Sequence, residues 1–158
     1  TLNPSSAASD VYKRQTTNTT SMFLGCKYIL RLLKKSKYAS IVNSASITSI
    51  RGAKNMLAYA TSKSAIVSFT SSLALDLVKD KIRVNAVAPG AIDTQMVETL
   101  KKEINSISKY NKRMSEAHPI GRIGYPQEVA NVICFLASEE ASFMTGSTIP
   151  VDGGRSIR

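Results

Sequence analysis

The stretch KIRVNAVAPG, Lys81–Gly90, reads as a single β-strand closed by a Pro-Gly pair. β-Branched residues suit a pleated backbone, and proline and glycine end it. Upstream, ASIVN (Ala39–Asn43) reads as a short buried strand; downstream, GSTIPVDGG (Gly146–Gly154) reads as a third strand and a turn. The segments between them carry helical spacing. Met22, Cys26, Ile29, Leu30 and Leu33 predict a helix from Thr16 to about Lys35, and Ile66, Phe69, Leu73 and Leu77 stripe a second. Pro126 opens a further helix with Val129, Val132, Ile133 and Leu136 on its buried face. Strands alternating with helices imply right-handed crossovers and a parallel sheet, hence an α/β fold. Three strands are few for such a sheet, which ordinarily has cover on both faces and neighbours on both sides.

The chain has 158 residues, enough for one domain with a core, and its 43% hydrophobic fraction argues against global disorder. No apolar run approaches a membrane span and no signal peptide is recognisable, so the reading is a soluble, cytoplasmic protein with no membrane partner. The net charge of +10 raises nucleic acid as a partner. Its lysines and arginines are scattered, however. Arg31, Lys34, Lys35 and Lys37 end one helix and Lys79 and Lys81 another, where cations complement the helix dipole. No recognition-helix or RNA-binding aromatic signature accompanies them, and nucleic acid is set aside.

Cys26 and Cys134 lack CxxC spacing and read as reduced packing residues. His118 is the single histidine, so neither a His-rich metal site nor a Ser-His-Asp triad is supplied; before Pro119 it reads as a loop residue. Residues 1–15 show no periodicity. Their SSAASDVYKRQ portion (Ser5–Gln15) looks like a translated sequencing-library adaptor, so they read as a non-native or disordered tail ahead of one unit over 16–158.

The chemistry is concentrated in LAYATSKSAI, Leu57–Ile66, where Tyr59 and Lys63 stand one helical turn apart. A phenol with a pKa of about 10 is a poor acid at neutral pH, and a neighbouring ammonium lowers that value. Ser44 and Ser46 follow the strand SIVN at its carboxyl end, where parallel sheets place reactive groups. A hydroxyl there could bond a substrate oxygen, although Ser44 also suits a turn. The loop APGAIDT follows the next strand, with Pro89 setting the chain direction and Gly90 allowing close approach by a ligand.

Together, Ser46 ahead of YxxxK, RVNAVAPGAIDT, and HPIGRIGYPQEVANVICFLASEEASFMTGSTIPVDGG resemble the motifs of the short-chain dehydrogenase/reductase family. The resemblance covers about Thr16 to Gly154 and is closest to members of the 3-oxoacyl-[acyl-carrier-protein] reductase and alcohol dehydrogenase kind. It implies a Rossmann-type, doubly wound parallel sheet of which this chain holds the last three strands and their helices. It implies Tyr59 as the general acid/base, Lys63 lowering its pKa and bonding the nicotinamide ribose, and Ser46 polarising the substrate oxygen. Asn18, in TTNTTSMF, falls on the family's active-site Asn, which holds a water-linked proton relay with Lys63. Pro89, Gly90, Ile92 and Thr94 would line the nicotinamide half of NAD or NADP. The Ala91–His118 segment would be a lid over a small carbonyl or alcohol substrate, with Met96, Val97, Leu100 and Met114 as an apolar wall. No metal is implied.

None of the eight glycines forms the Gly-rich turn that grips a pyrophosphate, nor is the residue that chooses NAD over NADP present. The expectation is that the N-terminal dinucleotide-binding half is missing, leaving SIVN as an exposed, aggregation-prone edge and this chain alone inactive. Candidate substrates of the intact oxidoreductase are 3-oxoacyl thioesters, sugars, steroids and small cyclic alcohols, and the intact parent is expected to be a homodimer or homotetramer. A half-protein serving as an interaction module is the alternative.

Overall fold

The computed structural model describes residues 11–94 and 107–158. Three parallel strands, β1 (Ser40–Ser44), β2 (Arg83–Pro89) and β3 (Thr148–Val151), lie in the order β1-β2-β3. Ile41 stands opposite Val84, and Val87 opposite Ile149. Helix α1 (Ser21–Leu33) precedes β1; α2 (Leu57–Leu77) connects β1 to β2; α3 (Ile107–Glu116) and α4 (Pro126–Ala137) come between β2 and β3. The parallel α/β sheet expected from the alternating pattern is present, and β1 pairs with β2 alone among the described residues.

Strand alternation sends successive side chains to opposite faces of the sheet. On one face Ile41, Val84 and Ala86 pack against Ile66, Ala74 and Leu77 of α2 and Leu30 and Leu33 of α1. On the other, Val42, Val87, Ile149 and Val151 meet Val129, Val132, Ile133 and Leu136 of α4. The face of α4 read from its spacing is the face that packs.

Of the stripe read on α2, Ile66 and Leu77 are buried and Leu73 packs against the core, while Phe69 is half-buried on the flank; Ser62, Thr70 and Ala74 are the other buried positions. Small residues let the helix axis approach the sheet, and their polar groups bond locally: Thr70 Oγ1 donates to the Ile66 carbonyl at 2.7 Å and accepts from Asn43 Nδ2 of β1 at 2.9 Å. Phe69 instead meets Phe23 of α1 edge-on, ring centres 6.0 Å apart. Cys134 is exposed on α4 and is not a packing residue; Cys26 is half-buried, and burial pushes its thiol pKa up.

Central strand β2 carries a fully buried polar residue among its apolar ones. Asn85 donates from Nδ2 to the Met144 carbonyl at 2.8 Å and accepts the Ser147 N–H on Oδ1 at 3.1 Å. Buried amides must be satisfied, and Asn85 meets this by stitching β2 to the segment entering β3.

The helix ahead of β1 starts earlier than Thr16, because residues 11–15 are helical as well. A π turn, Thr16–Thr20, then joins α1, with the Ser21 N–H reaching back to the Thr16 carbonyl. Such one-residue insertions in an α-helix recur at functional positions, and Asn18 sits inside this one.

Candidate active site

The carboxyl ends of the strands gather the residues singled out in the sequence. The chain leaves β1 at Ser44, and Ser46 caps a single 3-10 turn, Ile47–Ser49. The Ser46 hydroxyl oxygen accepts from the Thr48 N–H at 3.3 Å and from Thr48 Oγ1 at 3.1 Å. Both lone pairs are thereby engaged, leaving the Ser46 O–H to donate elsewhere. Ser44 contributes its carbonyl, to which Lys63 Nζ donates at 2.8 Å. That bond draws the middle of α2 onto the end of β1, and burial pushes the Lys63 pKa below its ordinary value. An ammonium has three donors, so two remain for a ligand.

Tyr59 lies one turn before Lys63 and is half-buried. Its carbonyl accepts from the Ser62 hydroxyl at 2.8 Å, and Ser62 Oγ in turn accepts from Asn18 Nδ2 at 3.0 Å. Thr19 Oγ1 donates to the Ser62 carbonyl at 3.3 Å. The side-chain amide of Asn18 is therefore committed to the Tyr59-bearing turn of α2, through the π turn, and not to Lys63 itself.

After β2 the backbone from Ala91 to Asp93 is tied beside Gly124: the Gly124 N–H donates to the Ala91 carbonyl and the Asp93 N–H to the Gly124 carbonyl, each at 2.9 Å. In such a parallel bridge the middle residue turns its own N–H and C=O away from the partner. Those groups of Ile92 are unbonded among the described residues, which suits them to a planar amide. Thr94 is half-buried at the end of this loop. Of the expected apolar wall, Met96, Val97 and Leu100 lie outside the described residues; Met114 is half-buried on α3.

Gly90 also allows a close approach within the protein: a Cβ there would stand 2.8 Å from His118 Nε2 and 3.0 Å from the Asp152 Cα. His118 lies in the loop after α3, as read, and is buried there, 2% exposed. Its Nε2 accepts the Ala91 N–H at 3.1 Å and its Nδ1 lies 2.6 Å from the Met114 carbonyl, which requires the proton on Nδ1. One imidazole thus joins α3 to the loop after β2. Gly90→Ala is expected to cost about 1–3 kcal/mol by overpacking this junction. Urea denaturation would read the loss, and an unchanged midpoint would contradict the geometry.

A second knot lies beside it. Arg122 grips the Glu128 carboxylate with two bonds of 2.9 and 2.7 Å, and the Tyr125 N–H donates to the same carboxylate at 2.7 Å. Glu at the third position reaching back to the first free N–H of a helix is a sequence-legible cap; the arginine is not. Chiefly the Arg122 bonds, then the Tyr125 N–H, hold the Glu128 carboxyl at about 2. A depressed carboxyl stabilises the fold above its ordinary value of 4.5 and loses that contribution as pH falls through about 2. Glu128→Gln is expected to flatten the acid limb of a stability–pH curve in this window. High salt should shrink the difference, since both side chains are 41% exposed.

A family model described as Enoyl-(Acyl carrier protein) reductase matches residues 5–156. The 3-oxoacyl-[acyl-carrier-protein] reductase of Aquifex aeolicus is 42% identical over 137 residues, 87% of this chain and 53% of that protein. The ligand-free aldohexose dehydrogenase of Thermoplasma acidophilum superposes with a TM-score of 0.84 at 42% identity, over 89% of this chain and 57% of that one. ElxO with NADP bound superposes at 0.80 and 31% identity, over 89% and 56%. The chain spans about half the length of the curated relatives it matches. It belongs to the short-chain dehydrogenase/reductase family.

Proposed function

We propose that these residues form the proton-transfer half of a reductase that interconverts a ketone and a secondary alcohol, with a 3-oxoacyl thioester as the leading substrate. The observation that carries this reading is the 2.8 Å bond from Lys63 to the Ser44 carbonyl, which sets the YxxxK turn beside Ser46 at the end of β1. The thioester preference rests on the named activity of the Aquifex relative.

When bound, NAD(P)H supplies a hydride to the carbonyl carbon. The carbonyl oxygen then gains negative charge and needs a proton at once. Tyr59 gives its phenolic proton to that oxygen, and the Ser46 O–H, already oriented by Thr48, donates a hydrogen bond to it. Lys63, half-buried and held on the Ser44 carbonyl, would offer its two remaining N–H groups to ribose hydroxyls. Pro89, Gly90, Ile92 and Thr94 would flank the nicotinamide, with the backbone of Ile92 meeting its carboxamide. Asn18 Nδ2 is taken by Ser62, so a water linking Asn18 to Lys63 would be held by its side-chain oxygen or backbone carbonyl.

The intact protein is read as a cytoplasmic homodimer or homotetramer. Leu24, Tyr28 and Leu32 are 39%, 74% and 67% exposed along one face of α1, and Leu57 and Leu75 are exposed on α2. Apolar helix faces of this kind are suited to meet a second copy.

The residues fit the nicotinamide half of the cofactor; no Gly-rich turn for the pyrophosphate is among the chain's glycines. The chain alone is therefore expected to be inactive with NADPH and an acetoacetyl thioester. A chimera in which the first half of the Aquifex reductase precedes residue 16 is expected to turn over. A folded, NADPH-binding chimera that leaves the thioester unreduced would sink the proposal.

A further inference from the structure

We propose that His118 is a positioning residue for the nicotinamide end of the cofactor, acting through the backbone N–H of Ala91. This rests on the reductase reading above and deepens it, since it names what aims the loop that would meet the nicotinamide.

That loop leaves the sheet beside the Ser46 turn. The Ala45 N–H donates to the Val87 carbonyl at 2.9 Å, so the chain entering Ser46 and the end of β2 run side by side. The backbone from Gly90 onward is then fixed group by group. The Gly90 N–H donates to the Val151 carbonyl at 3.0 Å, and the Ala91 N–H to His118 Nε2 at 3.1 Å. Gly124 holds the Ala91 carbonyl and the Asp93 N–H, each at 2.9 Å. Gly124 therefore sets the two peptide planes that flank Ile92, and His118 sets the plane ahead of them, where the chain turns out of β2. Val151 and Gly124 act through backbone that any residue carries; the Ala91 anchor is a side chain.

The imidazole is itself held in one orientation. It is buried, and its Nδ1–H is spent on the Met114 carbonyl of α3 at 2.6 Å, which leaves Nε2 as an acceptor. Its backbone N–H donates to the Ser115 carbonyl at 3.1 Å and its carbonyl accepts the Gly121 N–H at 2.8 Å. A buried N–H without an acceptor is costly. Loss of Nε2 thus favours a reoriented Ala91 peptide, and the free N–H and C=O of Ile92, next in the chain, move with it. Lys63 is anchored separately, on the Ser44 carbonyl, so its donors for the ribose are spared.

The test compares His118→Gln with His118→Asn. The end of a glutamine side chain reaches about as far as Nε2 and can accept from Ala91; asparagine reaches only as far as Nδ1 and can donate to Met114. In the 158-residue chain, NMR-detected hydrogen exchange at the Ala91 amide should quicken about tenfold in His118→Asn and change little in His118→Gln. In the chimera, fluorescence titration should show NADPH binding weakened about tenfold by His118→Asn and no more than about twofold by His118→Gln. 2′-Phospho-ADP-ribose, which lacks the nicotinamide, should displace NADPH with the same affinity in all three proteins. A general loosening of the fold would weaken both ligands together. Equal exchange at Ala91 in the two variants, or equal weakening of NADPH and 2′-phospho-ADP-ribose, would overturn the inference and leave the reductase reading intact. A chimera that shows the expected binding pattern yet reduces no ketone would overturn the reductase reading and leave the role of His118 standing.

Discussion

Tyr59→Phe in the chimeric reductase is expected to lower kcat by about a thousandfold while leaving NADPH binding nearly unchanged. The substitution removes one oxygen and its proton and leaves the ring in its half-buried place on α2. Nothing else nearby replaces it well. The Ser46 O–H can bond the developing oxyanion but is a far weaker acid, and the Lys63 ammonium is held on the Ser44 carbonyl. Lys63→Met should differ in kind. It removes the ammonium and its donors for the ribose, so NADPH affinity should fall together with kcat. Steady-state kinetics with fluorescence titration of NADPH would separate the two patterns. A Tyr59→Phe protein retaining more than about a tenth of its kcat would show that the proton comes from another group.

Leu136→Ala is expected to destabilise the chain by about 3 kcal/mol, a fall in Tm of roughly 6–12 °C. Leu136 is fully buried where α4 meets β2, packed with Val87 and Ala141. Its backbone is equally committed: the carbonyl accepts Ser40 Oγ at 3.1 Å and Arg83 Nη1 at 2.8 Å. Those bonds hold the helix in place, so the site cannot collapse onto the cavity that truncation leaves. Phe143→Ala is the matched control. That ring is fully exposed, and its removal should change stability by no more than about 0.5 kcal/mol. Similar losses from both variants, measured by calorimetry, would refute this account of the α4 face.

The strands and helices were legible because their signals are local. Lys81–Gly90 carries its own β-branched residues and its own Pro-Gly stop, and α4 carries its own Pro126 start and apolar face. The spacing of Tyr59 and Lys63, and of Ser46 ahead of them, was legible for the same reason, since a helical turn and a strand end are short-range objects. Phe69 shows where this reading fails. Size and hydrophobicity nominated it for the core, but the depth of contact was set by how near the helix could lie to the sheet, which favoured Ser62, Thr70 and Ala74.

Composition and spacing were therefore sufficient for the α/β class and for the spacing of Ser46, Tyr59 and Lys63 at the end of β1 and on α2. Tertiary structure alone assigned the partners. It buried His118 between Met114 and Ala91, gave Asn85 to Met144 and Ser147, turned Asn18 to Ser62, and laid Arg51 on Arg155. The physical reason is that a buried or charged polar group is stable only with a partner, and these partners lie far apart along the chain. No local pattern encodes such a distance; the packing of the sheet and its helices does.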